Sequence, residues 1–234
     1  MNLETFISKV KSFLGTYVFI NKLESKGERV DINLNEKINF NNLDMYQKSH
    51  FKRYEFASKI INKEDVCGDF ACGTGYGTVM LAEKAKNVIG IDLNETVITE
   101  ISKRYQNRTN VSYLNLNLLS INYTNEFDKI ISFETIEHFE ESNIIKLLTL
   151  YYKALKPGGK LIFSTPYLQL ESEKAKKLGF HLTFNIDEAK IESWVKNIGF
   201  KIIEYKYQNY QDHELKSEME KKEFIICVIV KALN

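Results

Sequence analysis

The stretch Ser132-Phe133-Glu134-Thr135-Ile136-Glu137-His138-Phe139 holds two carboxylates and one imidazole close together. On a helix, Glu134, Glu137 and His138 stand at i, i+3 and i+4, so their side chains converge on one face. Two carboxylates and an imidazole aimed at one point can coordinate a divalent cation. The same set can work as a hydrogen-bonded acid/base group with His138 as the base, or it can simply shape a pocket floor.

A second stretch, Val66-Cys67-Gly68-Asp69-Phe70-Ala71-Cys72-Gly73-Thr74-Gly75-Tyr76-Gly77-Thr78, breaks an apolar run with three alternating glycines. A helix-compatible segment follows. Strand, glycine-rich turn and helix start make a loop of nucleotide-binding size, because glycine tolerates positive φ and lets a ligand approach the backbone. Seventeen residues beyond Gly75, Asp92 closes the apolar run Asn87-Val88-Ile89-Gly90-Ile91. A carboxylate there can accept both hydroxyl hydrogens of a ribose. A dinucleotide fingerprint G-x-G-x-x-G/A asks for a small residue where Thr78 stands, and the third glycine comes one place early, at Gly77.

The pattern D-x-x-C-G-x-G-x-G resembles motif I of the class I S-adenosylmethionine (SAM) dependent methyltransferases. The resemblance covers roughly residues 45 to 231. It implies that Gly73 to Gly77 wraps the amino-acid end of SAM, with Asp92 on the ribose. It implies further cofactor contacts from Asp69, Ala71, Gly73, Gly75, Tyr76, Leu93, Leu118 and Glu134. Asn117 stands where the family usually has an acidic residue beside adenine, and its carbonyl can still accept the adenine amine.

The 132–139 stretch resembles the family's fourth motif, and E-x-x-E-H is the form seen in two metal-using subgroups. These are the ubiquinone-pathway O-methyltransferases and those acting on the 3′-terminal ribose of small RNAs. They imply Mg²⁺ or Mn²⁺ on Glu134, Glu137 and His138. Family members often place a histidine over the acceptor after the fifth strand, and here that is His181, as ligand or base beside His138 and Glu137.

Alternating strand and helix signals from Asp65 onward predict a mostly parallel sheet with helices on both faces. Strands are expected at 66–70, 87–92, 110–115, 127–133, 160–165, 200–207 and 223–231. Helices are expected at 76–85, 95–106, 143–155 and 186–197, the last ended by Gly199. Two closing strands without an intervening helix form a hairpin, matching the family's seven-stranded, Rossmann-like sheet with an antiparallel last strand. Lys156-Pro157-Gly158-Gly159 stops a helix and starts a strand.

Residues 1–62 are expected to be a helical cap or lid and 63–234 the SAM-binding domain. The cap holds an amphipathic helix over Leu3–Leu14, an irregular linker over 21–44 and a helix over 43–61. On that last helix Tyr46, His50, Arg53 and Tyr54 share a face, resembling the helix before motif I in methyltransferases of bacterial surface-polysaccharide biosynthesis. Tyrosines suit sugar rings, and Arg53 suits a phosphate or the SAM carboxylate.

The formal net charge of +1 over 234 residues argues against a DNA or general polyanion binder. Cys67, Cys72 and Cys227 lack metal spacing and are expected as buried free thiols of a reducing compartment. The first fifteen residues contain Glu4, Lys9 and Lys11 and no uninterrupted apolar core, and no membrane span is expected, so a cytoplasmic location is expected. The resulting expectation is a SAM-dependent O-methyltransferase acting on a small hydroxylated acceptor, foremost a sugar or sugar nucleotide of capsule or lipopolysaccharide synthesis. Homodimerisation is compatible with it. The alternatives are a metal-dependent RNA 2′-O- or quinone-pathway O-methyltransferase and a non-catalytic SAM-binding subunit.

Overall fold

The computed structural model describes residues 29–171 and 181–233. The helix expected over Leu3–Leu14 and the Lys174–Lys177 cluster lie outside the described residues. Seven strands form one sheet in the order β3-β2-β1-β4-β5-β7-β6. Strands β1 (Val66–Phe70), β2 (Asn87–Asp92), β3 (Val111–Asn115), β4 (Phe127–Phe133) and β5 (Leu155–Pro166) pair in parallel. Strand β7 (Phe224–Lys231) enters between β5 and β6 (Phe200–Gln208) and runs antiparallel to both. This is the sheet expected from the sequence.

The helices are α1 (Met45–Ser58), α2 (Tyr76–Ala82), α3 (Glu95–Arg104), α4 (Glu141–Ala154) and α5 (Glu188–Val195). Side chains alternate across a strand, so a strand buried on both faces reads as an unbroken apolar run. On β4 and β5, Ile130, Leu161 and Phe163 face α4 and α5, whereas Ile131 and Ile162 pack with Tyr54 and Ala57 of α1 and Leu81 of α2. Both faces are therefore covered.

Two local differences from the expected elements have plain causes. Strand β5 begins at Leu155, directly after α4, because Leu155 already pairs with Phe127. Lys156 to Gly159 then bulges out before pairing resumes at Lys160 opposite Lys129, with Gly158 at φ +77° making the reversal. Helix α1 starts at Met45 because Asp44 caps it: its Oδ1 accepts from the amides of Tyr46 and Gln47, and Gln47 Oε1 accepts the Asp44 amide.

The irregular segment before α1 is tied down across the glycine loop. Thr74 Oγ1 donates to the Val30 carbonyl at 2.9 Å, and Arg104 of α3 pairs with Asp31 at 2.7 Å. Gln47 Nε2 donates to the Asp31 carbonyl, and Ile32 is buried beside Tyr54 and Tyr76. None of the described helices is long and apolar enough to cross a membrane.

Candidate functional site

The carboxyl edge of the parallel strands collects both the glycine loop and the Glu137–His138 stretch. On one half lies the β1–α2 turn. Gly75 caps α2 in the left-handed region at φ +76°, where an added Cβ would lie 2.8 Å from the Tyr113 hydroxyl. Ala71 sits at φ +65°, a conformation that side chains rarely adopt and that marks stored strain at this turn. Gly77 has a different task. A Cβ on it would meet the Tyr54 ring at 2.0 Å, so the third glycine makes room for α1 to pack on α2. That explains why it falls one place earlier than a dinucleotide fingerprint requires.

Asp92 ends β2 with its carboxylate turned onto the glycine loop. Its Oδ2 accepts from the Gly73 amide at 3.1 Å, and its Oδ1 accepts from the Asn94 amide at 2.9 Å and Arg29 Nη2 at 3.1 Å. Leu93 next to it is 70% exposed, leaving an apolar surface over the same edge. Asn117 spends its carbonyl on the Leu119 amide at 2.9 Å, starting a short 3₁₀ turn, while Leu118 is buried beneath. Asp69 and Tyr76 point inward: Asp69 is fully buried, with Oδ1 accepting from Tyr54 and Oδ2 from Thr78. These two side chains therefore form the wall behind the loop.

On the other half, the segment is not the helix that would stack Glu134 over Glu137 and His138. Glu134 is held at φ +47° at the end of β4 by its amide, which donates to the Ser164 carbonyl, and only a 3₁₀ turn over Ile136–His138 follows. Glu134 faces elsewhere: Ser164 donates to its Oε1 at 2.7 Å, and Arg53 Nη1 lies 3.1 Å from the same oxygen. Arg53 is fully buried, with Nε donating to Gln208 at 2.7 Å and the guanidinium 4.1 Å above the Phe224 ring. Nη1 is out of line for a hydrogen bond to Glu134, and neither Nη1 nor Nη2 has a hydrogen-bond partner among the described residues.

His181 takes the place Glu134 leaves. Ligand atoms of Glu137, His138 and His181 all lie within 4.8 Å of one another, and the two imidazole centroids are 5.0 Å apart. The loop carrying His181 is laced to the 3₁₀ turn, since Leu182 and Thr183 both donate amides to the Glu137 carbonyl and the Thr183 hydroxyl donates to the Phe139 carbonyl. His181 Nδ1 meets Gln169 Oε1 at 2.6 Å, so that nitrogen is the donor and Nε2 the acceptor. Burial and the neighbouring His138 push the His181 imidazole down to about 4, leaving it neutral near pH 7. Burial, then Glu134, hold the Glu137 carboxyl well above the usual range, and neither of its oxygens has a hydrogen-bond partner among the described residues. A buried carboxyl of that kind needs a proton or a cation.

Four partners of the site carry no sequence signal: Arg29 on Asp92, Gln208 on Arg53, Ser164 on Glu134 and Gln169 on His181. No local spacing marks them. All three cysteines are buried and free, as expected. Burial holds the Cys72 thiol well above its ordinary value, which suits packing and not nucleophilic work.

Residues 68–159 match the family model described as methyltransferase domain. A probable S-adenosylmethionine-dependent methyltransferase of Mycolicibacterium smegmatis is 26% identical over 132 residues, 56% of this chain and 50% of that protein. The ubiquinone biosynthesis O-methyltransferase of Coxiella burnetii is 25% identical over 168 residues, 65% of this chain and 69% of that protein. The match thus spans half the length of the first relative. The crystal structure of the N-methyltransferase NodS from Bradyrhizobium japonicum in complex with S-adenosyl-L-homocysteine has a TM-score of 0.63 at 17% identity, covering 81% of this chain and 89% of that one. The fold is therefore that of the class I methyltransferases.

Proposed function

We propose that this methyltransferase domain binds SAM over the β1–β2 half of the edge and passes its methyl group to an oxygen of a small hydroxylated acceptor. The observation that carries the reading is the placement of the glycine loop with Asp92 and the Glu137–His138–His181 cluster on one sheet edge. Asp92 takes the ribose hydroxyls, and Asn117 lies on the adenine side. The two terminal nitrogens of Arg53, without hydrogen bonds among the described residues, suit the fork geometry of the cofactor carboxylate.

The reaction is in-line displacement: the acceptor oxygen attacks the sulfonium methyl, the S–C bond breaks, and the acceptor proton passes to a base. His138 is the proposed base, with the neutral His181 imidazole beside it. Alignment supplies roughly 7–11 kcal/mol in well-oriented reactions, against about 10²–10⁴-fold for a base. Positioning therefore contributes more to the rate than the base does.

The cluster also fits a divalent cation, because Glu137 is a buried carboxyl without a hydrogen-bond partner among the described residues and two imidazoles lie beside it. Two imidazoles with one carboxylate favour Mn²⁺ over Mg²⁺, which prefers oxygen ligands. A bound cation would hold the acceptor oxygen and ease loss of its proton. This favours, as second reading, an acceptor of the quinone-pathway type, in line with the Coxiella relative. The sugar or sugar-nucleotide reading draws its support from α1, where Tyr46 meets Tyr210 edge-on at 5.0 Å. A cytoplasmic enzyme is proposed with either.

Calorimetric titration with SAM and with NAD⁺, each with and without Mn²⁺, tests the assignment. SAM binding without NAD⁺ binding is expected, and turnover with a hydroxylated acceptor should follow. Binding of neither cofactor would sink the reading, and SAM binding without turnover on sugar nucleotides or catechols would favour a non-catalytic subunit.

A further inference from the structure

We propose that Tyr54 is a positioning residue: its hydroxyl holds the buried Asp69 carboxylate behind the glycine loop and tunes cofactor binding through that charge. The inference rests on the SAM reading above. Tyr54 sits on α1 immediately after Arg53, and its ring is fixed from several sides. It fills the space Gly77 leaves, meets Tyr76 edge-on at 5.4 Å and meets Phe133 edge-on at 5.0 Å. So seated, the hydroxyl donates to Asp69 Oδ1 at 3.0 Å, while Thr78 donates to Oδ2 at 2.6 Å. One residue of the lid helix thereby clamps a fully buried acid on the strand that delivers the loop.

The surroundings decide what that acid does. Tyr54 faces it from α1, Tyr76 and Thr78 from α2, Cys72 from the loop, Cys67 from β1, Asp92 from β2 and Tyr113 from β3. Burial keeps the Tyr76 phenol and the Cys72 thiol well above their ordinary values, hence neutral. Arg53 turns its guanidinium towards Glu134 and Phe224 instead. Burial and Asp92 push the Asp69 carboxyl up to about 7, against the two hydroxyl bonds that lower it. The acid thus changes charge near neutral pH. Below about pH 8, where its α-amino group stays protonated, SAM carries a sulfonium, an ammonium and a carboxylate, a net single positive charge, so it binds more tightly while Asp69 is ionised.

The direction of the pH dependence follows from that charge. Affinity for SAM is full above the Asp69 midpoint and declines as pH falls through about 7, and binding below the midpoint releases a proton. Tyr54→Phe keeps the ring and removes one bond to the charged form, so the midpoint moves up.

The test is SAM dissociation constants by calorimetry between about pH 6 and about pH 9 for the wild type, Tyr54→Phe and Asp69→Asn. The wild type should weaken on the acid side. Tyr54→Phe should be about fivefold weaker at neutral pH for a midpoint moved up by one pH unit, approaching tenfold per unit further to the acid side, and rejoin the wild type in the alkaline range. Asp69→Asn should show no such weakening on the acid side. A Tyr54→Phe profile with the wild-type midpoint overturns the proposal, whatever happens to the melting temperature, and so does an acid-side weakening that persists in Asp69→Asn. Wild-type protein that fails to bind SAM at every pH overturns the cofactor reading itself, a separate result.

Discussion

The two halves of the sheet edge are built differently. The glycine-loop half is made largely of backbone shape and short-range bonds: glycines at positive φ, an Asp92 that accepts from an amide two residues on, an Asn117 that caps its own turn. The Arg53–His181 half is made of side chains brought from far apart: Arg53 on Gln208, Glu134 on Ser164, His181 beside His138. A turn that needs particular backbone angles restricts residue type at fixed spacing, so it shows as a motif. A polar cluster assembled by tertiary packing restricts only which residues meet. The first half should therefore tolerate single side-chain losses that the second does not.

Arg53→Ala gives the largest expected effect. It removes a buried cation on which Gln208, Glu134 and Phe224 all depend. Taking one partner from a buried charge pair typically destabilises by about 3–5 kcal/mol. For a chain of this size that lowers the melting temperature on the order of ten degrees. SAM binding should be lost with it. Thermal unfolding near the wild-type temperature would mean the Arg53–His181 half does not depend on this contact, and the contrast between the halves would fail.

His138→Ala comes next and separates chemistry from assembly. Turnover should fall about 10²–10⁴-fold with SAM affinity unchanged, the usual contribution of a general base. His181→Ala sharpens the point. If the cluster holds a cation, both variants should lose any Mn²⁺-dependent rise in melting temperature together. A loss confined to His138→Ala would leave His181 as a loop residue over the acceptor.

The fold and the glycine-loop half are legible in the sequence because apolar periodicity and glycine spacing are properties of consecutive residues. Strand β4 is legible to the residue from Phe127, Ile130, Ile131 and Phe133, although Asp128, Lys129 and Ser132 interrupt the apolar run; Asp128 and Lys129 are paired with Lys156 and Asp65. The Arg53–His181 half shows in the sequence only as residue types, and their spacing suggests the wrong geometry. Glu134, Glu137 and His138 have helical spacing, but the Glu134 amide donates to the Ser164 carbonyl and the residue turns to φ +47° just past β4, with its side chain towards Arg53. The strap from Arg29 to Ile32, which closes over the loop through Thr74, Asp92 and Arg104, carries no periodicity at all.

Asp92→Ala removes the proposed acceptor of the ribose bonds and the carboxylate that Arg29 pairs with. Hydrogen bonds to a charged group contribute about 1.5–3 kcal/mol, so SAM affinity should fall roughly 10- to 150-fold, with folding largely retained. Unchanged affinity in a calorimetric titration would remove Asp92 from the cofactor site.

The smallest effect belongs to Asn117, and it tests the one place where the loop departs from the family pattern. Its carbonyl already caps the 3₁₀ turn through the Leu119 amide. Asn117→Ala should therefore reduce stability by about 0.5–2 kcal/mol, as loss of a side-chain cap does, and SAM affinity by less than the Asp92 change. Asn117→Asp separates the two duties. An aspartate keeps an oxygen for the Leu119 amide and adds a second acceptor for the adenine amine. Stability should return to wild type and SAM should bind more tightly. If Asn117→Asp restores the turn and leaves SAM affinity at the Ala level, Asn117 serves the turn alone, and adenine is held by the apolar edge that Leu93 exposes.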